Sequence, residues 1–323
     1  MYTAFYGLSD LPFRLTPDRR FFFGSRGHER ALAYLTYGLD QADGFIVVTG
    51  DVGTGKTTLV EHLLSDLNKD WFVAAKVVTT QLEADDTVRM VATAFGIAAN
   101  GVDKASLLGQ LQSFLASNHR GGKRSLLLVD EAQNLSVRSL EELRMLSNFA
   151  AGHQPLLQSF LLGQPQFRAI IGKPELEQLR QRVIASYHLG PLKPDETQAY
   201  VHHRLRTVGW QKDPQFADDV FPMIHQESGG VPRRINTLCS RLLLSAYLDE
   251  AHVINRETVR SVAHDLAEEL PLSPQAPAAA APPIETVSTD FGDRVAELER
   301  KVSAHDRAIA HALRMTAEYL EKT

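Results

Sequence analysis

Eight consecutive residues carry the densest chemical signal in the chain: Gly50, Asp51, Val52, Gly53, Thr54, Gly55, Lys56 and Thr57. They fit the phosphate-binding pattern G-x-x-x-x-G-K-[ST] at every fixed position. Glycines at these places let the backbone curl until its amides point at phosphate oxygens, and a helix opening behind them adds partial positive charge. Lys56 would neutralise β and γ phosphates, and the Thr57 hydroxyl would ligate Mg²⁺, with Thr58 continuing the loop into the helix. A second signal is the apolar run 125–129, which ends in Asp130 and Glu131. Carboxylates at the C-terminal end of a buried strand stand where α/β sheets bind their ligands. Asp130 would hold Mg²⁺ through its water shell, and Glu131 would orient and activate an attacking water.

Three further polar features fit the same chemistry. Gln164 follows the apolar run 157–163 and is placed to reach a γ-phosphate or the lytic water, or else to cap the next helix. Arg233 opens a helix after Gly230 and Pro232, from which a guanidinium can reach back to phosphates. Arg180 and Arg182 precede the last strand of the sheet; an arginine supplied by a neighbouring subunit stabilises charge on a transferred phosphate, by roughly 10³ or more in rate. Arg182 is the better placed of the two, with an ordinary ion pair as the alternative role for either. The twelve histidines show no metal-ligand spacing, and the single cysteine, Cys239, lies on an apolar helix face as an inert thiol.

Positioning these groups requires an alternating α/β framework. Strands are predicted at 45–49, 71–79, 125–130, 157–163 and 184–189, with helices at 56–67, 87–95, 105–116 and 137–149 between them. This is the pattern of a largely parallel sheet sandwiched by helices. After Pro191 the strands stop, and helical periodicity at 195–207, 214–226, 233–248 and 256–267 predicts a small all-α domain. The segment 271–290 is rich in proline and alanine and reads as a linker. In the tail, Val295, Leu298, Val302 and Ile309 share a helical stripe that His305 and Ala312 interrupt, so the seam suits a solvated or partner-induced helix better than a coiled coil. The expected division is 1–190, 191–270, 271–290 and 291–323.

Over 323 residues, 44% hydrophobic and 23% charged, the chain can bury a core, which excludes wholesale disorder. One cysteine excludes a disulfide framework. No stretch resembles a signal peptide or reaches the roughly 20 apolar residues of a membrane span, so a soluble cytoplasmic protein is expected. The net charge of −5 is neutral over 1–190, −3 over 191–270 and −2 over 271–323. That distribution argues against a nucleic-acid coat; Arg19, Arg20, Arg26 and Arg30 form the best candidate for a local basic patch.

The motifs in this order resemble the AAA+ superfamily of P-loop ATPases. The resemblance places Arg182 as arginine finger, Gln164 as first sensor and Arg233 as second sensor, and puts the region around Leu8, Phe13 and His28 near an adenine. It narrows in 5–8 (FYGL), 11–13 (LPF), 16–18 (TPD), 21–25 (FFFGS), 130–135 (DEAQNL), 162–165 (LGQP), 179–182 (LRQR) and 229–236 (GGVPRRIN). These look like the secretion ATPases typified by general secretion pathway protein A and, within them, the XrtA/PEP-CTERM system-associated ATPases of exopolysaccharide and exosortase loci. The resemblance covers about residues 1–270. It implies an ATP- and Mg-dependent hydrolase that assembles into homo-oligomers and acts from the cytoplasm on membrane-bound partners at the inner membrane. It departs from general secretion pathway protein A after the ATPase region, where that family has a membrane span and a peptidoglycan-binding part. The residues leave two other readings open: a DNA-dependent ATPase of the transposition or replication type, and a nucleotide-gated adaptor whose tail recruits a membrane partner.

Overall fold

The computed structural model describes residues 2–16, 18–68, 70–78 and 84–269, the side chains of 84 and 85 excepted. The expected linker and tail helix lie outside the described residues.

Five strands form one parallel sheet: β1 (Phe45–Thr49), β2 (Phe72–Val78), β3 (Arg124–Asp130), β4 (Leu157–Gly163) and β5 (Val183–His188), in the order β2-β3-β4-β1-β5. All five expected strands are present. The inner three are buried on both faces, which is why they read as continuous apolar runs rather than as alternating ones. Side-chain alternation divides each run between two cores. Phe45, Val47, Leu127, Val129 and Leu161 face one way, and Ile46, Val48, Leu126, Leu128 and Phe160 the other.

Helices cover both faces. The helix α1 (Arg26–Gln41), absent from the sequence expectation, is capped by Ser25, whose hydroxyl accepts from the His28 amide, and buries Ala31, Leu35 and Leu39 beside Ile46 and Val48. On the same face α2 (Lys56–Asp66) adds Leu59, Val60 and Leu63. The other face receives α3 (Ala84–Ala94), α4 (Lys104–Arg120), α5 (Val137–Leu146) and α6 (Gln166–Ile171) through Val91, Leu111, Leu115, Leu140, Leu143 and Phe167.

Four helices follow: α7 (Pro194–Thr207), α8 (Val220–Ser228), α9 (Pro232–Leu248) and α10 (Arg256–Glu269). This region, expected to be wholly helical, also carries a two-residue parallel ladder between Gln215–Phe216 and Val253–Ile254. Pairing of Gln215 and Phe216 keeps them out of the predicted 214–226 helix, which begins at Val220 instead. The N-terminal residues join this helical core rather than the sheet: Tyr2, Tyr6, Leu8, Phe13 and Phe21 pack with Tyr200, Leu205, Ile235 and Leu242. Hydrogen bonds to backbone carbonyls secure them, with Ser9 N donating to Val208 O at 2.9 Å and the Tyr6 hydroxyl to Ala251 O at 2.9 Å.

Candidate functional site

The loop 50–57 leaves the C-terminal end of β1 and opens α2. Its first residue is fixed from the neighbouring strand, since Gly50 N donates to Gly163 O at 3.2 Å. Two of its glycines are required by geometry. A Cβ on Gly50 would lie 2.4 Å from Leu189 O, and Gly53, at φ +85°, leaves no room beside the Arg233 Cβ, which a side chain there would meet at 2.4 Å. Lys56 is buried and folds back over the loop, its Nζ donating to Gly50 O at 2.7 Å and Asp51 O at 3.0 Å. Burial pushes its pKa down, opposed by the Glu131, Asp130 and Asp51 carboxylates.

β3 delivers its carboxylates to the same place. The Thr57 hydroxyl donates to the buried Asp130 Oδ2 at 2.8 Å, so the loop threonine and the strand-end aspartate meet across 73 residues of chain. Hydroxyl and carboxylate oxygens are the hard donors that Mg²⁺ prefers, and the amide-rich loop beside them suits a polyphosphate. The residues present therefore fit an Mg·nucleotide ligand. Glu131 follows at φ +53°, a left-handed conformation costing an L side chain roughly 1–2 kcal/mol. The strand ends there in a 3₁₀ turn, Ala132–Asn134.

Gln164, at the end of β4, donates from Nε2 to Glu131 Oε2 at 3.1 Å. A residue that sequence reading did not single out joins them. Gln133 Nε2 also donates to Glu131 Oε2, and Gln133 Oε1 accepts from Gln164 N at 2.9 Å. Gln133 stands within 130–135, but nothing local in that stretch says that its amide spans two strand ends.

A cleft of about 350 Å³ opens over the loop, walled by Phe21, Phe22, Phe23 and Tyr200 and carrying Arg14, Arg204 and Arg233. Arg233 N donates to Gly53 O at 3.2 Å, so α9 begins in contact with the phosphate loop. Arg204 is buried beneath the cleft; Nε donates to Pro12 O at 2.7 Å and Nη1 to the Tyr200 hydroxyl at 2.8 Å, and its guanidinium lies 4.5 Å from the centre of the Phe21 ring. Tyr200 in turn donates to Asn236 Oδ1 at 2.9 Å. Of the three residues expected near an adenine, only His28 lines the cleft. Leu8 and Phe13 are core residues of the helical region. His28 is buried between Ser25 Oγ, 2.7 Å from its Nδ1, and the loop; burial lowers its pKa against the opposing pull of Glu196 and the Thr54 backbone.

α1 and α7 meet at their N-termini. Glu196 accepts from Lys193 N at 2.9 Å, from Arg26 N at 2.8 Å and from Arg26 Nε at 3.1 Å, while Arg26 Nη2 reaches Asp195 at 2.6 Å. Burial alone would raise the Glu196 pKa; these backbone and guanidinium donors outweigh it and hold the group below the usual glutamate value. Arg26 is thus committed to α7, and Arg20 to Asp10 and Asp18, which takes two of the four arginines out of the expected basic patch. Cys239 is fully buried, and burial pushes its thiol pKa up, which leaves it inert.

Arg182 is elsewhere. It precedes β5 at the end of the sheet opposite the loop, with its backbone oxygen accepting from Phe45 N at 2.9 Å and its Nη1 donating to Ser147 Oγ at 2.9 Å. Arg180 is exposed and paired with Glu177. Neither arginine lines the cleft over this chain's own loop.

Comparison with known proteins agrees with this geometry. Residues 39–171 match a family model described as AAA domain. Cdc6p from Pyrobaculum aerophilum superposes with a TM-score of 0.60 at 16% identity, over 81% of this chain and 70% of that one. The Aeropyrum pernix ORC2 protein in its ADPNP-ADP complexes gives 0.57 at 16% identity, over 77% and 72%. The fold is that of the AAA+ P-loop ATPases. Sequence similarity adds a homologue: General secretion pathway protein A of Aeromonas hydrophila is 38% identical over 268 residues, 83% of this chain. The chain spans about half the length of that relative, 49%. Among the described residues no helix is long and apolar enough to cross a membrane, and no cluster of three or more His, Cys, Asp or Glu side chains could hold a metal ion.

Proposed function

We propose that this AAA+ chain is an Mg²⁺-dependent ATP hydrolase. The observation that carries the reading is the 2.8 Å contact between Thr57 and Asp130, which puts a hydroxyl and a carboxylate for Mg²⁺ beside Lys56 and Glu131. When bound, Mg²⁺ supplies charge neutralisation at the phosphates. The amides of 50–57 and Lys56 bind and orient the triphosphate, and Thr58 lines the same cleft. Glu131 takes the proton of the attacking water, and Gln164 positions that water or the γ-phosphate. Arg233 contacts the phosphates from the helical region 191–270, which moves, together with the N-terminal residues packed into it, against the sheet region during the cycle. Arg182 acts on the nucleotide of a second copy, so that hydrolysis depends on a homo-oligomer.

The setting we propose is a secretion-related system, with the exopolysaccharide and PEP-CTERM (exosortase) systems as the narrower assignment. Support comes from the relative's name and from the motifs at 5–25, 130–135 and 229–236. The chain would work from the cytoplasm, peripheral to the inner membrane, on a membrane-associated protein partner. The test is phosphate release from ATP against protein concentration. It should need Mg²⁺, rise more than linearly with protein, and fall at least about 100-fold in Lys56→Ala. Turnover unchanged in Lys56→Ala would refute the reading. Stimulation by duplex DNA with a steep salt dependence would replace the secretion setting with a DNA-dependent one.

A further inference from the structure

The closed triangle of Glu131, Gln133 and Gln164 contains one residue to which the proposed reaction gives no role. Gln133 uses both ends of its amide at once: Nε2 donates to Glu131 Oε2 and Oε1 accepts from Gln164 N. The same Glu131 oxygen also accepts from Gln164 Nε2. Glu131 lies outside regular secondary structure. The residue sits past the end of β3 in a left-handed conformation, so neither strand nor helix geometry sets its side-chain direction. The buried Ala132 anchors the turn from the other side, and Gln133 is thereby held between two strand ends.

We infer that Gln133 is a positioning residue for hydrolysis: its amide fixes the Glu131 carboxylate and ties it to Gln164, so that a shift of Gln164 toward a γ-phosphate is felt at the base. The inference rests on Glu131 acting as that base. A water-activating carboxylate misplaced by about 1 Å loses about 100-fold in rate, whereas the loop 50–57 that binds nucleotide is untouched. Glutamine suits the position because it donates and accepts over one side-chain length; glutamate keeps only the acceptor, and leucine keeps neither.

The experiment uses the full chain and compares ATP turnover and binding of a fluorescent ATP analogue in wild type, Gln133→Leu, Gln133→Glu, Glu131→Gln and the Glu131→Gln/Gln133→Leu double variant. Both Gln133 variants should lose about 10- to 100-fold in kcat while analogue affinity stays within about twofold. The double variant should be no slower than Glu131→Gln alone, because the clamp has then lost its object. A purely structural staple would lower affinity along with kcat and would add its loss in the double variant, and either result overturns the inference. So does wild-type kcat in both single variants while Glu131→Gln is inactive. If Gln133→Leu fails to fold, Gln133→Glu decides alone by the same criteria. Full turnover in Glu131→Gln instead removes the base assignment, and this inference with it.

Discussion

The two ends of the central sheet are built on opposite plans. At the C-terminal end, within a single chain, Thr57 donates to Asp130, Gln133 and Gln164 both hold Glu131, and Lys56 folds back over its own loop beside them. At the N-terminal end, a strand length or roughly 15 Å away, Arg182 donates to Ser147 and lines a hollow with Asp43, Asn148 and Ala150. One end gathers the residues of the candidate site. The other carries an arginine that stands apart from that site and, under the proposed function, acts on a second copy. What the difference teaches is that under the proposed function a lone chain binds nucleotide and an assembled one cleaves it.

The sharpest way to break this contrast is Arg182→Ala. Turnover in the assembled state should fall about 10³-fold with nucleotide affinity unchanged. Arg180→Ala, which loses only an exposed pair with Glu177, should stay within about twofold. Mixing Arg182→Ala with Lys56→Ala chains should recover part of the activity, since each supplies what the other lacks. A large loss in Arg180→Ala with none in Arg182→Ala would exchange their roles.

A smaller effect probes the C-terminal end. Gly53→Ala places a methyl group against Arg233 at a positive φ. Strain of order 1–3 kcal/mol should weaken nucleotide binding by about tenfold or more, read by titration with a fluorescent analogue. Unchanged affinity would mean that α9 yields freely at this contact.

The smallest effect lies at the junction of α1 and α7. Glu196→Gln removes the charge that Arg26 and two backbone amides hold, and should cost about 1 kcal/mol of stability at pH 7 in denaturant unfolding, modest because the Arg26 partner is half exposed. The sign of the pH dependence follows from the lowered Glu196 pKa. Its contribution is complete above the ordinary glutamate value near 4.3 and disappears as pH falls through the depressed folded value, so wild type and variant should converge in acid. A gap that persisted in acid would assign the loss to packing.

Much of the framework was legible beforehand because its signals are short-ranged. A buried parallel strand announces itself as an apolar run, and all five runs became strands. The phosphate loop is a backbone conformation specified by its own glycines. Predictions went astray where a partner distant in sequence decided the outcome. Gln215 and Phe216 read as helix until Val253 and Ile254 pair with them, and α1, whose cap is a serine accepting from His28, has no capping-box glutamate to announce it.

By itself, then, the sequence determined the sheet, the loop at 50–57, the carboxylates at 130 and 131, and Gln164 at a strand end, since each depends on spacing within a few residues. Tertiary structure alone decided that residues 2–23 pack with the helical region, that Arg26 reaches Glu196 across 170 positions, that Gln133 bridges two strand ends, and that Arg182 stands away from its own cleft. These are contacts between surfaces that exist only once the strands have paired and the helices have docked, and no local pattern records which amide will find which carboxylate.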